Sequence, residues 1–477
     1  MFKNIAPALS PRRPWGISAC LFGGPLLMAW LGVASGQAAP AASIMASPTF
    51  THDVAPILFQ HCANCHHEGE VAPFPLLTYA DARKHAKEIV EMTGTRQMPP
   101  WKPAHGFGDF IGERRLTGQQ IAILGNWLKA GKPIGDPGDL PPAPKFIEGW
   151  QLGQPDLIVK MPEAYTLKAE GGDVFRCFVV PLNLTEDKYV EAVEFRPSNR
   201  KIVHHSLLYL DTSGRARQLD AADPGPGYNG AGGPGFRPTG GLGGWAPGVT
   251  PRRLPADVGR LVRKGSDLVI QTHFHPSGKV ETEQSSIGLY FAKKPPANLF
   301  ISTMQAARRL DIPAGQEFYE TSSSFTVPTA VKLIGVFPHA HLLCKEIEVT
   351  ATLPDGKTLP IIWIKGWDWD WQDEYLYKKP LDIPRGTKVH MRFRYDNSSN
   401  NLRNPSTPPR HVHWGEQTTD EMAIVFFQLQ LNRQTAELLS AAQEAQGASR
   451  GGGLLKRLLG MARPDPGTKT PDSQTEK

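Results

Sequence analysis

The chain of 477 residues is long enough for two or three domains and a sizeable hydrophobic core. Its 40% hydrophobic and 21% charged residues fit a globular protein, and its 47 Gly and 44 Pro favour short strands joined by turns over long helices. A net charge of +6 is modest for this length, and no basic stripe with interleaved aromatic residues is present, so nucleic acid is not an expected partner.

Residues 1–39 have the pattern of a signal peptide. Lys3, Arg12 and Arg13 precede an apolar stretch at 17–33, and small residues at 34–42 provide a cleavage site. No later segment approaches the ~20 apolar residues that a membrane span requires. We therefore expect the mature chain in the periplasm or outside the cell, soluble or loosely attached to a membrane.

Residues 48–136 are predicted to form a small helical domain around the motif Cys62-Ala-Asn-Cys65-His66. Two thiols at this spacing bond covalently to the two haem vinyl groups, and the histidine that follows supplies an imidazole to the iron. A zinc half-site is the alternative, but the chain has no second C-x-x-C to complete it. The motif therefore predicts covalently attached haem c.

The sixth iron ligand is predicted to be Met98, which lies between Arg96 and Trp101 in a loop stiffened by two prolines. A thioether there suits electron transfer. The alternatives are an open site, Met92, or a histidine ligand at His85 or His105. A helix follows at 116–129 with Thr117 as its cap.

Together these features resemble the class I c-type cytochromes, so we expect an all-α cytochrome c domain. A Pro-rich linker at 137–155 is expected to be stiff and extended, which keeps this domain near its neighbour.

From residue 156 onward, short alternating apolar stretches rich in β-branched residues predict strands. The region is long for one sandwich, and a break at 293–298 divides it. We expect two antiparallel β-sandwich (jelly-roll) domains, at 156–297 and 298–432. Residues 433–477 are expected to form a short helix and a disordered tail.

Tight histidine groups recur in the β region. His339 and His341 alternate along a strand, so both imidazoles leave the same face. Met422 opens a later strand; core packing would explain it, but a thioether beside two imidazoles favours copper over zinc. His204 and His205 are adjacent and would share a metal only at a strand end, through a bulge or through different ring nitrogens. His273 ends another strand.

This half resembles the copper type II, ascorbate-dependent monooxygenases, the family of peptidylglycine hydroxylating monooxygenase and dopamine beta-monooxygenase. The matching stretches begin at Val203, Leu268, Val336 and Thr419 and follow the family's order. The resemblance implies two β-sandwich domains, each with one copper ion. His204, His205 and His273 would then ligate the electron-receiving copper, and His339, His341 and Met422 would ligate the copper where O2 and substrate meet.

The sequence departs from the amidating members of that family. They carry an Arg at the position of Phe337 and polar residues where Ile424 and Phe426 stand. A peptide carboxylate would lack its clamp, so peptide amidation is disfavoured and a less polar substrate is expected.

For several other residues the sequence supports less specific predictions. His275, His411 and His413 are expected to be structural, or to support a ligand, rather than to bind copper directly. Export would permit a disulfide between Cys177 and Cys344, with buried free thiols as the alternative. Four tryptophans between residues 363 and 371 are expected in core or loop packing, or as a wall for substrate.

We therefore expect an exported copper-dependent monooxygenase that hydroxylates a C–H bond of an unknown small molecule with O2. Its electrons would come from ascorbate or from a respiratory cytochrome or quinol chain, passed on through the fused haem. A non-enzymatic copper and haem protein, for electron transfer or copper handling, is the main alternative. A β-sandwich adhesion or carbohydrate-binding module is a more distant one and predicts that the histidines are scattered.

Overall fold

The computed structural model describes residues 47–70, 72–247, 249–415 and 417–438. The predicted signal peptide lies outside these residues, as does the predicted tail after residue 438, and residues 433–438 are helical. The described residues belong to one compact unit and are mostly β-sheet with few helices. No helix in these ranges is both long enough and apolar enough for a membrane span.

Most of the helices lie near the start of the described chain. They are a π-helical turn at Phe50–Val54, α1 (Ala55–His61), α2 (Tyr79–Lys84), α3 (Ala86–Gly94), α4 (Gly118–Lys129), a short 3-10 turn at Pro137–Asp139 and α5 (Arg215–Ala222). The predicted cap of α4 is confirmed: the Thr117 hydroxyl accepts from the Gln120 backbone N–H, and the Gln120 side chain accepts from the Thr117 N–H. Leu58, Leu124 and Trp127 are fully buried in a core that these helices share.

The strands begin at residue 157. They are β1 (Leu157–Lys160), β2 (Tyr165–Leu167), β3 (Val174–Pro181), β4 (Lys188–Arg196), β5 (Val203–Asp211), β6 (Tyr228–Asn229), β7 (Gly240–Trp245), β8 (Val258–Val262), β9 (Asp267–Phe274), β10 (Glu281–Glu283), β11 (Ser286–Phe291), β12 (Asn298–Ala306), β13 (Asp311–Ile312), β14 (Tyr319–Thr326), β15 (Val331–His339), β16 (Cys344–Thr352), β17 (Thr358–Ile364), β18 (Tyr375–Ile383), β19 (Lys388–Tyr395), β20 (Val412–His413) and β21 (Ile424–Asn432).

Three large sheets contain most of these strands. An eight-stranded sheet has the order β1-β11-β4-β8-β12-β21-β15-β18, a five-stranded sheet the order β6-β3-β9-β5-β7, and a four-stranded sheet the order β14-β19-β16-β17. Two further pairs are β10-β2 and β13-β20. All eight residues of β9 are buried because β9 lies between β3 and β5 with both faces covered.

The sheets pack around two hydrophobic cores, as in two sandwiches. One core joins the five-stranded sheet, through residues such as Phe178 and Ile270, to Ile287 and Val190 of β11 and β4. The other joins the four-stranded sheet to β12, β21, β15 and β18. The two halves meet within the eight-stranded sheet, where β12 pairs in parallel with β8 for two residues.

The segment 101–115, between α3 and α4, packs directly on the second sandwich. Phe110 forms an isolated bridge with Tyr377, is 2% exposed and belongs to the second β core. The Ile111 N–H donates to Leu376 O at 2.8 Å, and the Ala104 N–H donates to Trp363 O at 2.6 Å. The helical region therefore contacts the β region through backbone hydrogen bonds and core packing, in addition to the linker.

The two cysteines of the β region do not form a disulfide with each other. Cys177 and Cys344 are both buried free thiols. Burial raises the pKa of Cys177 to about 12, which keeps its thiol protonated.

Candidate metal centres

His204, His205 and His273 converge where β5 meets β9; we refer to these three residues as the first histidine cluster. Their ligand atoms all lie within 4.8 Å of one another. The β5–β9 register is irregular between Val203 and His205. Neighbouring residues on a regular strand face opposite sides, so this irregularity is what allows His204 and His205 to approach the same place.

The nitrogen atoms of the first histidine cluster are spaced for a shared ion. The Nδ1 atoms of His204 and His205 are 3.1 Å apart. Two nitrogens bound to one ion at about 2.0 Å each lie about 3 Å apart. His273 is 2% exposed, and its Nδ1 has no hydrogen-bond partner among the described residues. A buried nitrogen without a partner is costly unless something else binds it, so the donor set fits a metal.

Asp173, the residue before β3, contacts His273 of the first histidine cluster. Its carboxylate lies 2.9 Å from His273 Nε2 and 2.7 Å from His275 Nδ1. The His273 contact is an ion-pair distance with poor hydrogen-bond alignment. The proximity of His273, and then of His275, lowers the pKa of Asp173 to about 2 against the opposing effect of burial. The carboxylate therefore orients His273, as supporting residues do in metal sites.

Burial keeps His204 and His205 neutral. Burial lowers the pKa of His204 to about 4, and the proximity of His273 adds to the effect. The pKa of His205 falls well below its usual value for the same reasons. Metals bind the neutral imidazole, so these rings are in the ligating form at neutral pH.

His339 is the last residue of β15 and His341 lies two residues beyond it, with ring centroids 5.2 Å apart. His339 pairs with Ile424, the first residue of β21, so the backbone of Met422 comes just before this point. Met422 is half-buried. We refer to His339, His341 and Met422 as the second cluster.

Hydrogen bonds fix the outer nitrogen of both histidines in the second cluster. His339 Nδ1 donates to Gln372 Oε1 at 2.7 Å, and His341 Nδ1 donates to Asp420 O at 3.0 Å. The Nε2 atoms are then the acceptors available to an ion. Burial, and then the proximity of His339, lowers the pKa of His341 to about 3, and burial also lowers the pKa of His339.

Glu421 links the two chain segments that carry the second cluster. Its buried carboxylate accepts from the backbone N–H groups of His341 at 2.8 Å, Leu343 at 2.6 Å and Met422 at 3.0 Å. Burial raises its pKa to about 8 although these donors oppose the shift. The Tyr395 hydroxyl also donates to Met422 O at 2.8 Å. The backbone of Met422 is therefore held from two sides.

Trp369 lies between the two clusters. Its ring centroid is 6.0 Å from that of His204, with an interplanar angle of 23°. It is also 6.3 Å from the His339 centroid and 5.1 Å from the His341 centroid. One indole therefore contacts both clusters, which come from different sandwiches.

Trp369 and Gln372 belong to residues 365–374, between β17 and β18, which we call the tryptophan loop. Ion pairs anchor it to the helical region: Lys102 to Asp368 at 2.9 Å and Arg114 to Asp373 at 2.9 Å. The Trp367 indole N–H donates to His341 O at 3.0 Å. The loop thus connects the helical region to both clusters.

The predicted haem-attachment residues lie in the turn after α1. Cys62 and Cys65 are free thiols, and His66 Nδ1 donates to Phe74 O at 3.0 Å, which leaves Nε2 for iron. This donor set fits covalent haem. The same turn contacts the first sandwich, because Glu70 pairs with Arg200 at 2.9 Å, and Arg200 shortly precedes β5.

The candidates for the sixth ligand lie in different surroundings. Met98 is half-buried after α3, and its N–H donates to Met92 O at 3.0 Å. The His85 ring stacks on Phe74 at 3.7 Å, and its Nδ1 bonds Glu88. His105 is exposed.

Sequence reasoning missed Asp173, Gln372 and the position of Trp369. Each of these residues reaches its cluster through strand pairing or the path of a loop, and no local sequence pattern predicts either. Asp173 reaches His273 because β3 and β9 pair so that Val174 lies opposite Phe274. The adhesion or carbohydrate-binding alternative predicts scattered histidines, whereas the structure groups His204 with His205 and His273, and His339 with His341. His411 and His413 lie outside both groups and face Asp311.

Comparison with known proteins adds no assignment. No family model matches this chain, and no curated protein does. It is similar to the major capsid protein of bacteriophage PM2 at 8% identity, with a TM-score of 0.24 over 58% of this chain and 98% of that one. A two-domain protein of unknown function from Bacteroides fragilis gives 10% identity and a TM-score of 0.15, covering 54% of this chain and 85% of that one. Scores this low support no inference about fold or function.

Proposed function

We propose that this chain is an exported copper-dependent monooxygenase that hydroxylates a C–H bond of a small apolar molecule with O2. Its electrons would enter through haem c attached at Cys62 and Cys65. The observation that carries the proposal is the meeting of two imidazole clusters, one from each sandwich, on the single indole of Trp369.

The two donor sets suit copper in different ways. The first histidine cluster offers three imidazoles. The second cluster offers two Nε2 atoms, to which Met422 would add a thioether, a combination that favours copper and especially Cu(I). Bound copper would supply one-electron redox chemistry and the activation of O2.

Residues around the clusters orient the imidazoles and restrict water. Asp173, Gln372 and the Asp420 carbonyl each occupy the outer nitrogen of one histidine, so each ring keeps a single orientation. Trp369 fills space between the clusters and contacts His204 on one side and His341 on the other. An indole in that position limits the water that could separate the two clusters.

The strand surface beside the second cluster favours an uncharged substrate. Phe337 lies two residues before His339, on the same face of β15. Its ring stacks on Phe426 at 5.7 Å with an interplanar angle of 27°, and Met304 pairs with Phe426 on β12. This part of the surface offers apolar contacts, which a hydrocarbon or aromatic group matches better than a carboxylate does.

The helical region is suited to deliver electrons to the β region. Its haem-attachment turn is joined by the Glu70–Arg200 pair to the segment that leads into His204. Its segment 101–115 is joined to the tryptophan loop by the Lys102 and Arg114 pairs. The attachment turn is thus held beside the first histidine cluster instead of moving freely on a tether.

The test is oxygen-isotope incorporation by the purified, copper-loaded full-length protein. We expect consumption of O2 that depends on an apolar substrate, with one 18O atom from 18O2 in the hydroxylated product. The matched variant Met422→Leu should keep the fold and lose this product. A protein that binds both metals and is reduced by a donor, yet consumes no O2 with a panel of apolar substrates, would instead be an electron-transfer or copper-handling protein.

A further inference from the structure

A third group of ligand side chains lies on the surface, outside both clusters. Asp311, His411 and His413 have ligand atoms that all lie within 4.8 Å of one another. His411 Nε2 is 2.7 Å from Asp311 Oδ1, and His413 Nδ1 is 3.3 Å from the same oxygen. All three side chains are at least half exposed.

The backbone explains why these side chains meet. β13 and β20 form a two-stranded ribbon in which Asp311 lies opposite His413. His411 precedes His413 by two residues, so both imidazoles project from the same face. Their rings stack with centroids 4.5 Å apart and an interplanar angle of 20°. The carboxylate on one strand thus faces two parallel imidazoles on the other.

The ribbon is held rigidly although its side chains are exposed. Asn397 is fully buried, and its side-chain amide donates to the carbonyls of Pro313 at 2.9 Å and Arg410 at 2.7 Å. These two carbonyls flank the ribbon, one after β13 and one before β20. A metal site on a fixed backbone loses less conformational freedom on binding than one on a mobile loop.

Simple ion pairing explains this arrangement less well than a metal does. Both imidazoles converge on one carboxylate oxygen, and protonating both would place two like charges in stacked rings. One divalent ion would carry the same total charge as the two protons and would bind all three ligands. Two imidazoles and one carboxylate suit Zn²⁺ and Cu²⁺.

We propose that Asp311, His411 and His413 form a surface site for a divalent first-row metal ion, Zn²⁺ or Cu²⁺, with its remaining positions open to water. The ion would fasten β13 to β20. The His413 carbonyl accepts from the Glu421 N–H at 3.2 Å, so the fastened ribbon lies directly behind the residue that positions His341. This site does not depend on the proposed oxygenase activity.

Zinc stoichiometry of the full-length protein tests the site. We expect His411→Ala/His413→Ala to retain about one Zn²⁺ fewer per chain than the wild type after equilibrium dialysis and elemental analysis. Asp311→Asn should keep the fold and weaken this one binding event at least tenfold. His390→Ala removes another exposed histidine, on β19, and should bind like the wild type.

Thermal unfolding provides a second readout that does not depend on counting ions. Added Zn²⁺ should raise the Tm of the wild type more than that of the double variant, because an ion that binds only the folded ribbon stabilises it. The single variant His411→Ala serves if the double variant does not fold. Equal stoichiometry and equal affinity in the wild type and the variants would overturn the proposal.

Discussion

Three of the five histidines in the two clusters present one nitrogen to the site because the other nitrogen is occupied. His339 depends on Gln372, His341 on the Asp420 carbonyl and His273 on Asp173. A ring without such a partner would rotate and exchange its tautomer, which weakens metal binding.

Removing the charge of Asp173 tests this at the first histidine cluster. We expect Asp173→Asn to lower copper affinity there by about 10- to 100-fold, because the amide orients His273 less strongly than the carboxylate does. Competition with a chromophoric copper chelator measures the change. Glu170→Gln alters an exposed carboxylate three residues earlier and should leave the affinity as it is. An unchanged affinity in Asp173→Asn would mean that the carboxylate does not position the ligand.

Gln372 allows the corresponding test at the second cluster. Gln372→Leu removes the acceptor for His339 Nδ1, and we expect Cu(I) affinity at this cluster to fall by about 10- to 100-fold. Gln372→Glu keeps an acceptor oxygen and should restore most of the affinity. A loss of equal size in both variants would point to disturbed loop packing instead.

At this scale the sequence predicted the candidate ligands and little of what surrounds them. The C-x-x-C-H and His-x-His spacings are local and can therefore be recognised in the sequence. Asp173 and Trp369 reach the clusters through strand register and loop path, which depend on contacts distant in sequence. The convergence of His204 with His205 also required a register irregularity that the sequence left open.

The tryptophan loop is the element that joins the parts of the site. It carries Trp369 between the clusters and Gln372 to His339, while Asp368 and Asp373 pair with the helical region. A second cation, Arg403, pairs with Asp368 at 2.8 Å. The position of the loop therefore depends on contacts from the helical region as well as from the β region.

Loss of these anchors should loosen the loop without removing any ligand. The Lys102–Asp368 and Arg114–Asp373 side chains are 11–23% exposed. We expect Lys102→Met/Arg114→Met to cost about 1–3 kcal/mol of unfolding free energy, between the values for exposed and for buried pairs. Hydrogen exchange should rise across residues 366–373. Lys378→Met, at the exposed pair with Asp109, is the control and should change neither quantity. Unaltered exchange in the double variant would show that the loop holds its position by itself.

The position of Trp369 leads to a prediction about both clusters. We expect Trp369→Ala to alter the Cu(II) electron paramagnetic resonance signals of both sites at once, because its indole contacts histidines of each. Trp371→Ala, in the same loop, should alter them less. A change confined to one signal would contradict a shared role for the indole.

At the level of elements, the sequence predicted the predominance of strands because alternation is a local signal. Thr117 as the cap of α4 was also predicted, because a cap residue directly precedes its helix, whereas the reciprocal contact from Gln120 was not predicted. The pairing of β8 with β12 and the packing of segment 101–115 on β17 and β18 were not. Those contacts join residues that are far apart in the chain, so they follow from the folded cores.

For the whole molecule, the helical region and both sandwiches surround one site. The attachment turn contacts the first sandwich through Arg200, and segment 101–115 contacts the second. Electrons given to the haem should then reach copper within the same chain. Anaerobic reduction by a cytochrome donor, followed by haem absorbance and the Cu(II) signal, should show haem reduction first and copper reduction next, at a rate independent of protein concentration. Haem reduction with no later loss of the Cu(II) signal would contradict this route.

The central claim is that each histidine cluster holds one copper ion, and copper content tests it most directly. Elemental analysis should be made on the full-length exported protein, on His273→Gln and on His339→Gln, with His390→Gln as the control. We predict that each cluster variant contains about one copper fewer per chain than the wild type while its haem content and circular dichroism are unchanged. Copper content equal to the wild type in both variants would contradict the assignment.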